Sequence, residues 1–297
     1  MPRALLITNP AAARYDPDDI RAVTRELERE GWEADVAGTT RPREAGGIAA
    51  EGVREGADVI AVYGGDGTTM EAVAGIVGTG VPLALVPGGT GNLLAGNLGI
   101  PRDPAKAALL ICAGVRKAVD LGRSERPDGV RYFAVASGAG LDAAIMKGAT
   151  PALKRRWGSG AYVGALLGAL DQLQPVHHRI TVDERAFDVD ATSVVVANCG
   201  WVANVGFSLG PGITLDDGLI DLIALRGRGL MDGVAVLWDL YTGRTNGSGR
   251  ITRARGRTIT IESETPRLVQ MDGDMAGVTP FTAVVLPRAV DVLVAGK

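Results

Sequence analysis

An aspartate stands inside a glycine turn at Gly64-Gly65-Asp66-Gly67-Thr68, and a second glycine turn follows at Pro87-Gly88-Gly89-Thr90-Gly91-Asn92. Glycines at such turns reach positive φ and let an anion approach bare backbone N–H groups. Phosphate oxygens suit that setting, and Thr68, Thr69 and Thr90 add hydroxyl donors where helices begin. An acid amid those donors calls for a cation beside the phosphates, and magnesium is the ion that bridges phosphates and carboxylates. The turns are not a Walker loop, since G-x-x-x-x-G-K-S/T is absent. They are not the dinucleotide fingerprint either, since the first strand ends in Asn9-Pro10. A nucleotide site with magnesium is the chemistry they predict.

Each turn needs a strand before it and a helix after it. Val59-Ile60-Ala61-Val62-Tyr63 and Leu83-Ala84-Leu85-Val86 are apolar runs that read as buried strands. Around them the chain alternates. Strands are expected at Ala4–Thr8 and Trp32–Ala37, helices at Pro17–Glu30 (Ile20, Val23 and Leu27 on one stripe), Glu44–Glu55 and through Val77, and helical turns at Asn92–Leu98 and Pro104–Ala113. This order predicts a doubly wound α/β nucleotide-binding domain over residues 1–117, with a parallel sheet covered on both faces. Near Val115 the pattern changes to short Val-, Ile- and Thr-rich runs: Ala118–Leu121, Tyr132–Ala136, Arg179–Val182, Ser193–Asn198, Leu219–Ala224, Thr258–Ile261, Phe281–Leu286 and Val290–Val294. Gly-, Asp- and Pro-rich turns separate them, which predicts an antiparallel β-sandwich domain over residues 118–287. Helical insertions are expected at Ala152–Gln172 and Leu230–Thr242.

The bulk properties agree with a soluble globular protein long enough for two domains. The 297 residues carry 31 basic against 34 acidic groups, a net charge of −3, which gives no electrostatic reason to expect nucleic acid as a partner. No apolar run approaches the roughly 18 residues of a membrane span. The opening Met1–Thr8 is too quickly polar for a secretory signal. Cys112 and Cys199 lie far apart in apolar surroundings and read as buried thiols of a cytoplasmic protein. The two histidines, His177 and His178, are adjacent and read as the start of a strand rather than a zinc site. Asn246-Gly247-Ser248 reads as a turn.

The two glycine blocks, followed by Leu98-Gly99-Ile100-Pro101, closely resemble the diacylglycerol kinase catalytic family, the soluble bacterial lipid kinases related to sphingosine kinases. The resemblance continues through Val119-Asp120-Leu121-Gly122, Gly138-Ala139-Gly140-Leu141-Asp142-Ala143, Asp216-Asp217-Gly218-Leu219-Ile220-Asp221 and Asp272-Gly273-Asp274, making seven ordered blocks over most of the chain. It implies an ATP- and Mg2+-dependent kinase acting on a hydroxyl of a diacylglycerol-like or long-chain-base-like lipid, with the active site in a cleft between the α/β domain and the sandwich. The final segment, 288–297, is then expected to return to the first domain. The resemblance assigns nucleotide contacts to Asn9, Thr40, Gly64, Gly65, Asp66, Gly67, Thr68, Thr69, Gly89, Thr90 and Asn92. Asp66 and Asp120 would hold the catalytic magnesium, partly through water, and Asp274 would be the general base. Asp217, with the carbonyls of Thr214 and Leu219, would hold a second, structural magnesium.

The chain departs from the family at two chemically loaded positions. Asp274 stands where the family has Glu, which withdraws the carboxylate by about 1.5 Å. A closer sandwich, a relaying water or a share taken by Asp272 would make up the distance. Leu93 stands where many diacylglycerol kinases carry Asp, so one acid of the magnesium network is missing. The first block also lacks the family's Ser-Gly after Asn9-Pro10, although Asn9 is still placed to cap that turn. Plainer alternatives exist: Asp120 as a turn-capping carboxylate, Asp272-Gly273 as a hairpin turn, and the double Asp before Gly218 as a solvated turn. Two other functions stay open. An NAD kinase shares Gly64–Thr68 but not the Pro87–Pro101 block, and a nucleotide- or lipid-binding relative without catalysis is compatible with Leu93 and Asp274.

A lipid kinase must reach a bilayer without crossing it. Lys154-Arg155-Arg156-Trp157, the apolar helix Tyr162–Leu173 (Val163, Leu166, Leu167, Leu170) and the alternating Arg253, Arg255 and Arg257 are the segments expected to meet an anionic membrane surface peripherally. Solvated surface charge is the plain alternative. The reading leaves room for a homodimer.

Overall fold

The computed structural model describes residues 1–126, 129–140, 174–202, 207–227 and 249–296, with residues 232, 235, 236, 238, 239 and 242 between the last two spans. The chain forms two compact units, Met1–Asp120 with Arg288–Lys297, and Leu121–Pro287. The first contains β1 (Arg3–Thr8), α1 (Pro17–Arg29), β2 (Glu33–Gly38), α2 (Ala45–Arg54), β3 (Val59–Gly64), α3 (Asp66–Ile76), β4 (Leu83–Pro87), α4 (Leu93–Asn97) and α5 (Pro104–Ala113). Strand β5 (Val115–Arg126) leads into the second. There follow β6 (Gly129–Phe133), β7 (Ala136–Gly140), β8 (Val176–Val182), β9 (Arg185–Ala191), β10 (Ser193–Ala197), β11 (Trp201–Val202), β12 (Phe207–Ser208), β13 (Ile220–Leu225), β14 (Ile251–Gly256), β15 (Thr258–Ser263), β16 (Leu268–Met271), β17 (Asp274–Val278) and β18 (Phe281–Val294).

In the first unit the strands run in the order β2-β1-β3-β4 and are all parallel. The end of β18 joins them, with Val292 beside Leu83, also parallel. Every residue of β3 is buried. That is the mark of a central parallel strand covered by helices on both faces, and it explains the unbroken apolar run in the sequence. Helix α1 starts where the Asp16 side chain accepts from the Asp18 N–H, with Pro17 in the first turn, and it buries Val23 and Leu27. Helix α5 is started the same way by Asp103, which accepts from the Lys106 N–H.

The second unit is a sandwich of antiparallel sheets. One has the order β14-β13-β10-β7-β16-β17. The other is built from β18, β15, β8 and β9. Inward-facing residues of both sheets, among them Val194, Val196, Leu222, Ile180, Ile259 and Phe281, form one core. An α/β fold with a parallel sheet, followed by an antiparallel β-sandwich, is thus the architecture the sequence predicts.

Several element boundaries differ from expectation. The run Tyr132–Ala136 is not one strand. It bends at Ala134-Val135 between β6 and β7, because the N–H groups of residues 134–136 turn onto a carboxylate, described below. The expected strand Ala118–Leu121 extends over all of β5, so Asp120 lies within a strand and not after one. Phe281–Leu286 and Val290–Val294 are one strand, β18, despite Pro287 and the positive φ of 51° at Arg288. Charged β9 was not anticipated, because Arg185, Asp188 and Asp190 mask its alternation. Arg257 lies beyond the end of β14, so Arg253, Arg255 and Arg257 do not share a strand.

Leu230–Thr242 is helical at residues 232, 235, 236, 238 and 239. The expected helix Ala152–Gln172, the Lys154–Trp157 cluster, Tyr162–Leu173, Leu141-Asp142-Ala143 and the Asn246–Ser248 turn lie outside the described residues. His177 and His178 fall on β8. Cys112 is half-buried and Cys199 buried, and no disulfide joins them.

Candidate active site

The two glycine turns meet at the carboxyl ends of β3 and β4. The Gly88 N–H donates to the Gly64 carbonyl at 2.9 Å. A Cβ on Gly89 would lie 2.5 Å from the Gly65 Cα, closer than any side chain is tolerated, so the two backbones touch only because both residues are glycine. Asn92 takes the left-handed conformation, at φ 50° and ψ 45°, which Asn accepts more readily than most residues. Its side chain clasps Gly89 on both sides. Oδ1 accepts from the Gly89 N–H at 3.0 Å, and Nδ2 donates to the Gly89 carbonyl at 2.7 Å. Gly64, Gly65, Asp66, Thr69 and Asn92 line one small cleft with Leu94 and Ala95.

Asp66 is the hinge of this corner. It is the first residue of α3, and its Oδ1 accepts from the Leu94 N–H at 3.3 Å, at the start of α4. Burial pushes its carboxyl above the usual carboxylate range, although N–H groups of Leu93, Leu94 and Asn92 pull the other way. The desolvation cost of a buried anion is what a bound cation relieves, so the residue is chemically suited to a metal. A Cβ on Gly91 would lie 2.6 Å from Asp66 Oδ2, so glycine is needed there too.

Around Asp66 the hydroxyls divide. Thr68 Oγ1 accepts from Asn9 Nδ2 at 2.9 Å, while Asn9 Oδ1 accepts from the Ala11 N–H and caps the turn after β1. The Thr69 hydroxyl donates back to the Gly65 carbonyl at 3.0 Å. Its proton is therefore given to the residue that caps α3 and is not directed at the cleft as a donor. Thr40 is also turned elsewhere. Its N–H and its hydroxyl both donate to Glu44 Oε2, at 2.6 and 2.9 Å, and these bonds hold the Glu44 carboxyl below its usual range. Asp120 is 1% exposed, and its Oδ1 accepts from the Arg288 N–H at 2.7 Å. Through that oxygen it caps the irregular backbone inside β18.

Tyr63 is a supporting residue that sequence patterning passed over as one more strand position. Its ring is buried at the end of β3, and a Cβ on Gly88 would meet that ring at 2.9 Å. Its hydroxyl lies 2.6 Å from Asp19 Oδ2 and 2.9 Å from the Arg14 carbonyl, and it accepts from the Asp16 N–H at 3.0 Å. Burial and Asp19 together raise its pKa, so it remains a phenol. One side chain thereby links the second glycine turn to the loop after β1. The available signal was its place, a lone aromatic directly before Gly64-Gly65.

The remaining acids lie in the second unit. Asp272 and Gly273 form the two-residue turn between β16 and β17, with φ of 46° and 92°, and Asp274 opens β17 and is exposed. The hairpin reading of this block and an exposed carboxylate at Asp274 thus hold together. Asp217 Oδ1 accepts from the Leu219 N–H at 3.0 Å, and Oδ2 lies 3.6 Å from Arg255 Nη1. Arg255 also reaches buried Asp221 at 2.9 Å and the Gly212 carbonyl at 2.5 Å, and Arg253 reaches Asp221 at 3.3 Å. These two arginines fasten the loop ahead of β13 and do not form an outward cationic face for lipid. A guanidinium beside Asp217 already neutralises the only carboxylate proposed for a structural ion, so the donor set fits a second magnesium poorly.

Among the described residues no helix is long and apolar enough to cross a membrane. Comparison with known proteins gives two family models in tandem. The diacylglycerol kinase catalytic domain matches residues 3–124, and the YegS C-terminal NAD kinase beta sandwich-like domain matches residues 135–294. A protein of Stenotrophomonas maltophilia named "Probable lipid kinase YegS-like" is 30% identical over 302 residues, covering 97% of this chain and 95% of that one. A diacylglycerol kinase of Bacillus subtilis is 28% identical over 298 residues, covering 99% of this chain and 96% of that one. The crystal structure of a diacylglycerol kinase from Bacillus anthracis shares the fold, with a TM-score of 0.74 at 23% identity over 98% of this chain and 96% of that chain. With both domain models matched in order and a relative 30% identical over nearly its whole length, the chain belongs to the diacylglycerol kinase family in its YegS-like form and is a lipid kinase.

Proposed function

We propose that this kinase transfers the γ-phosphoryl group of ATP, with Mg2+, to a hydroxyl of a diacylglycerol-like or long-chain-base-like lipid that it meets at a membrane surface. The observation that carries the reading is the corner itself: two glycine turns packed backbone to backbone, with a desolvated carboxylate, Asp66, between the starts of α3 and α4. Backbone N–H groups of Gly64, Gly65 and Gly67 cradle phosphate oxygens, and the Thr68 hydroxyl, held by Asn9, adds a donor, while Gly89 lets the second turn pack against the first. Thr90 and Asn92 complete the second turn. Thr40 serves the nucleotide only through the loop it braces with Glu44. Asp66 and Asp120 would hold the magnesium, and the ion when bound would supply charge neutralisation on the transferring phosphoryl group. Asp274 accepts the proton of the acceptor hydroxyl as its oxygen bonds to the γ-phosphorus and ADP leaves. Thr214, Asp217 and Leu219 take no part in these steps.

The test uses the purified chain with γ-labelled ATP, magnesium, NAD and mixed micelles carrying diacylglycerol, a long-chain base or a phospholipid. Label is expected in a lipid, and Asp66→Ala is expected to abolish it. Label in NAD, or nucleotide binding with no transfer to any lipid, would refute the proposal.

A further inference from the structure

We infer that Asp272 is the positioning residue that aims Asp274, an inference that rests on the reading of Asp274 as the general base. The Asp272 carboxylate accepts three successive backbone N–H groups, those of Ala134 at 2.6 Å, Val135 at 2.9 Å and Ala136 at 2.9 Å. Its own N–H donates to the Ala136 carbonyl at 2.9 Å. Three consecutive donors converging on one anion form the kind of backbone nest that otherwise binds a phosphate or a metal-bound sulfur. Here a side chain of the protein fills it.

The nest is itself braced. Asn198, fully buried, donates from Nδ2 to the Ala134 carbonyl at 2.9 Å, and the Asn198 and Cys199 N–H groups donate to the Val135 carbonyl. On the other side of the turn, buried Gln270 accepts from the Gly273 N–H at 2.8 Å. The hairpin is therefore pinned at Asp272 and Gly273 from two directions, and Asp274 is the first residue beyond the pins.

Two consequences follow. Asp272 is occupied by three donors, which speaks against its sharing the proton with Asp274. Aim also matters more for Asp274 than for the longer acid of the family, because a shorter side chain has fewer torsions with which to correct a displaced backbone. A displacement of about 1 Å at a reacting group costs up to about 100-fold in rate.

The experiment compares Asp272→Asn with Asp274→Asn, singly and together, by transfer of label from ATP to diacylglycerol in mixed micelles, with melting curves for each variant. In Asp272→Asn the retained oxygen still accepts from Val135 and Ala136, but an amide NH2 now faces the Ala134 N–H, so the turn is displaced rather than lost. The expected result is a kcat about 10-fold lower with KM for ATP unchanged, and no further loss when the change is added to Asp274→Asn. Gly273→Ala disturbs the same turn through its backbone, at φ 92°, without touching the nest, and is expected to lower kcat alike. It stands in should Asp272→Asn fail to fold. Equal loss from Asp272→Asn in both backgrounds would mean a merely structural role and overturn the inference. Full kcat in both Asp272→Asn and Gly273→Ala, with Asp274→Asn inactive, would overturn the positioning alone. Full activity in Asp274→Asn would overturn the base assignment and this inference with it.

Discussion

Replacing Tyr63 by Phe isolates the coupling between the glycine corner and the loop after β1. The ring remains, so the contact with Gly88 is preserved and only the hydroxyl is lost. That hydroxyl has one proton and two acceptors nearby, Asp19 Oδ2 at 2.6 Å and the Arg14 carbonyl at 2.9 Å. The shorter, charge-assisted bond to Asp19 takes the proton, and the Asp16 N–H supplies one accepted bond. A hydrogen bond to a charged group contributes about 1.5–3 kcal/mol and a neutral one about 1 kcal/mol. Asp16 is exposed and Asp19 half-buried, so water recovers part of both. A net loss of about 2 kcal/mol is expected, read as a lower urea midpoint with unchanged slope.

The same loosening should reach the nucleotide. Asn9 is fastened to Thr68 at one end of this loop, and Tyr63 fastens the other end through Arg14, Asp16 and Asp19. If the whole 2 kcal/mol must be restored on binding, KM for ATP rises by about 30-fold, and that is the upper bound. kcat should change little, because neither turn glycine moves. A cycle with Asp19→Asn should show coupling of about 1 kcal/mol between the two positions. A stability change under about 0.5 kcal/mol, with KM for ATP unmoved, would refute the claim that the hydroxyl links loop and turn.

Gly89→Ala places a Cβ against the Gly65 backbone, where no flexible side chain can yield. ATP affinity measured by calorimetry should fall at least about 10-fold and stability by about 1–3 kcal/mol. Arg255→Met leaves Asp217 and buried Asp221 short of a cation, with Arg253 remaining, and should cost about 2 kcal/mol in urea unfolding. If a divalent ion did organise that loop, adding magnesium would restore the loss, and no such restoration is expected. Burial lowers the pKa of His178, so the folded chain refuses a proton that the unfolded chain accepts below pH 6.5. Stability should therefore fall as pH drops from 6.5, more steeply in the wild type than in His178→Asn when urea midpoints at pH 7.5 and 5 are compared.

Much of the fold was legible because its signals are local. An unbroken apolar run such as β3 can be buried on both faces only in a covered parallel sheet, and Asp16-Pro17 or Asp103-Pro104 announces the helix that follows. The misread elements lack a local signal. The Tyr132–Ala136 run has good strand composition throughout. What bends it is Asp272, more than a hundred residues away in sequence, drawing three N–H groups out of register. Strand β18 runs through Pro287 and Arg288 because Asp120 caps the irregular backbone there, again from a distant position. Charged β9 shows the reverse failure, since a sheet partner, β8, decided its state against its own composition.

The candidate site shows the same division at the level of single side chains. Residue type singled out the glycines and the acids, because close backbone approach and cation binding each admit few alternatives. Residue type could not say where a functional group is already committed. Thr69, Thr40 and Asp272 each carry a group suited to the chemistry, and each spends it on the protein's own backbone or a neighbouring carboxylate. Arg253 and Arg255 had the alternation of a lipid-facing strand, yet Asp221 and two loop carbonyls claim them. Asp66 differs from all of these in kind. Its donors are the starts of two helices, and burial still leaves its carboxyl above the ordinary range. The internal bonds therefore do not fully compensate its charge. Of the acids in the glycine corner it is the one whose residual cost a bound cation would remove. Leu93, apolar at the neighbouring position, would add no charge to such a hold.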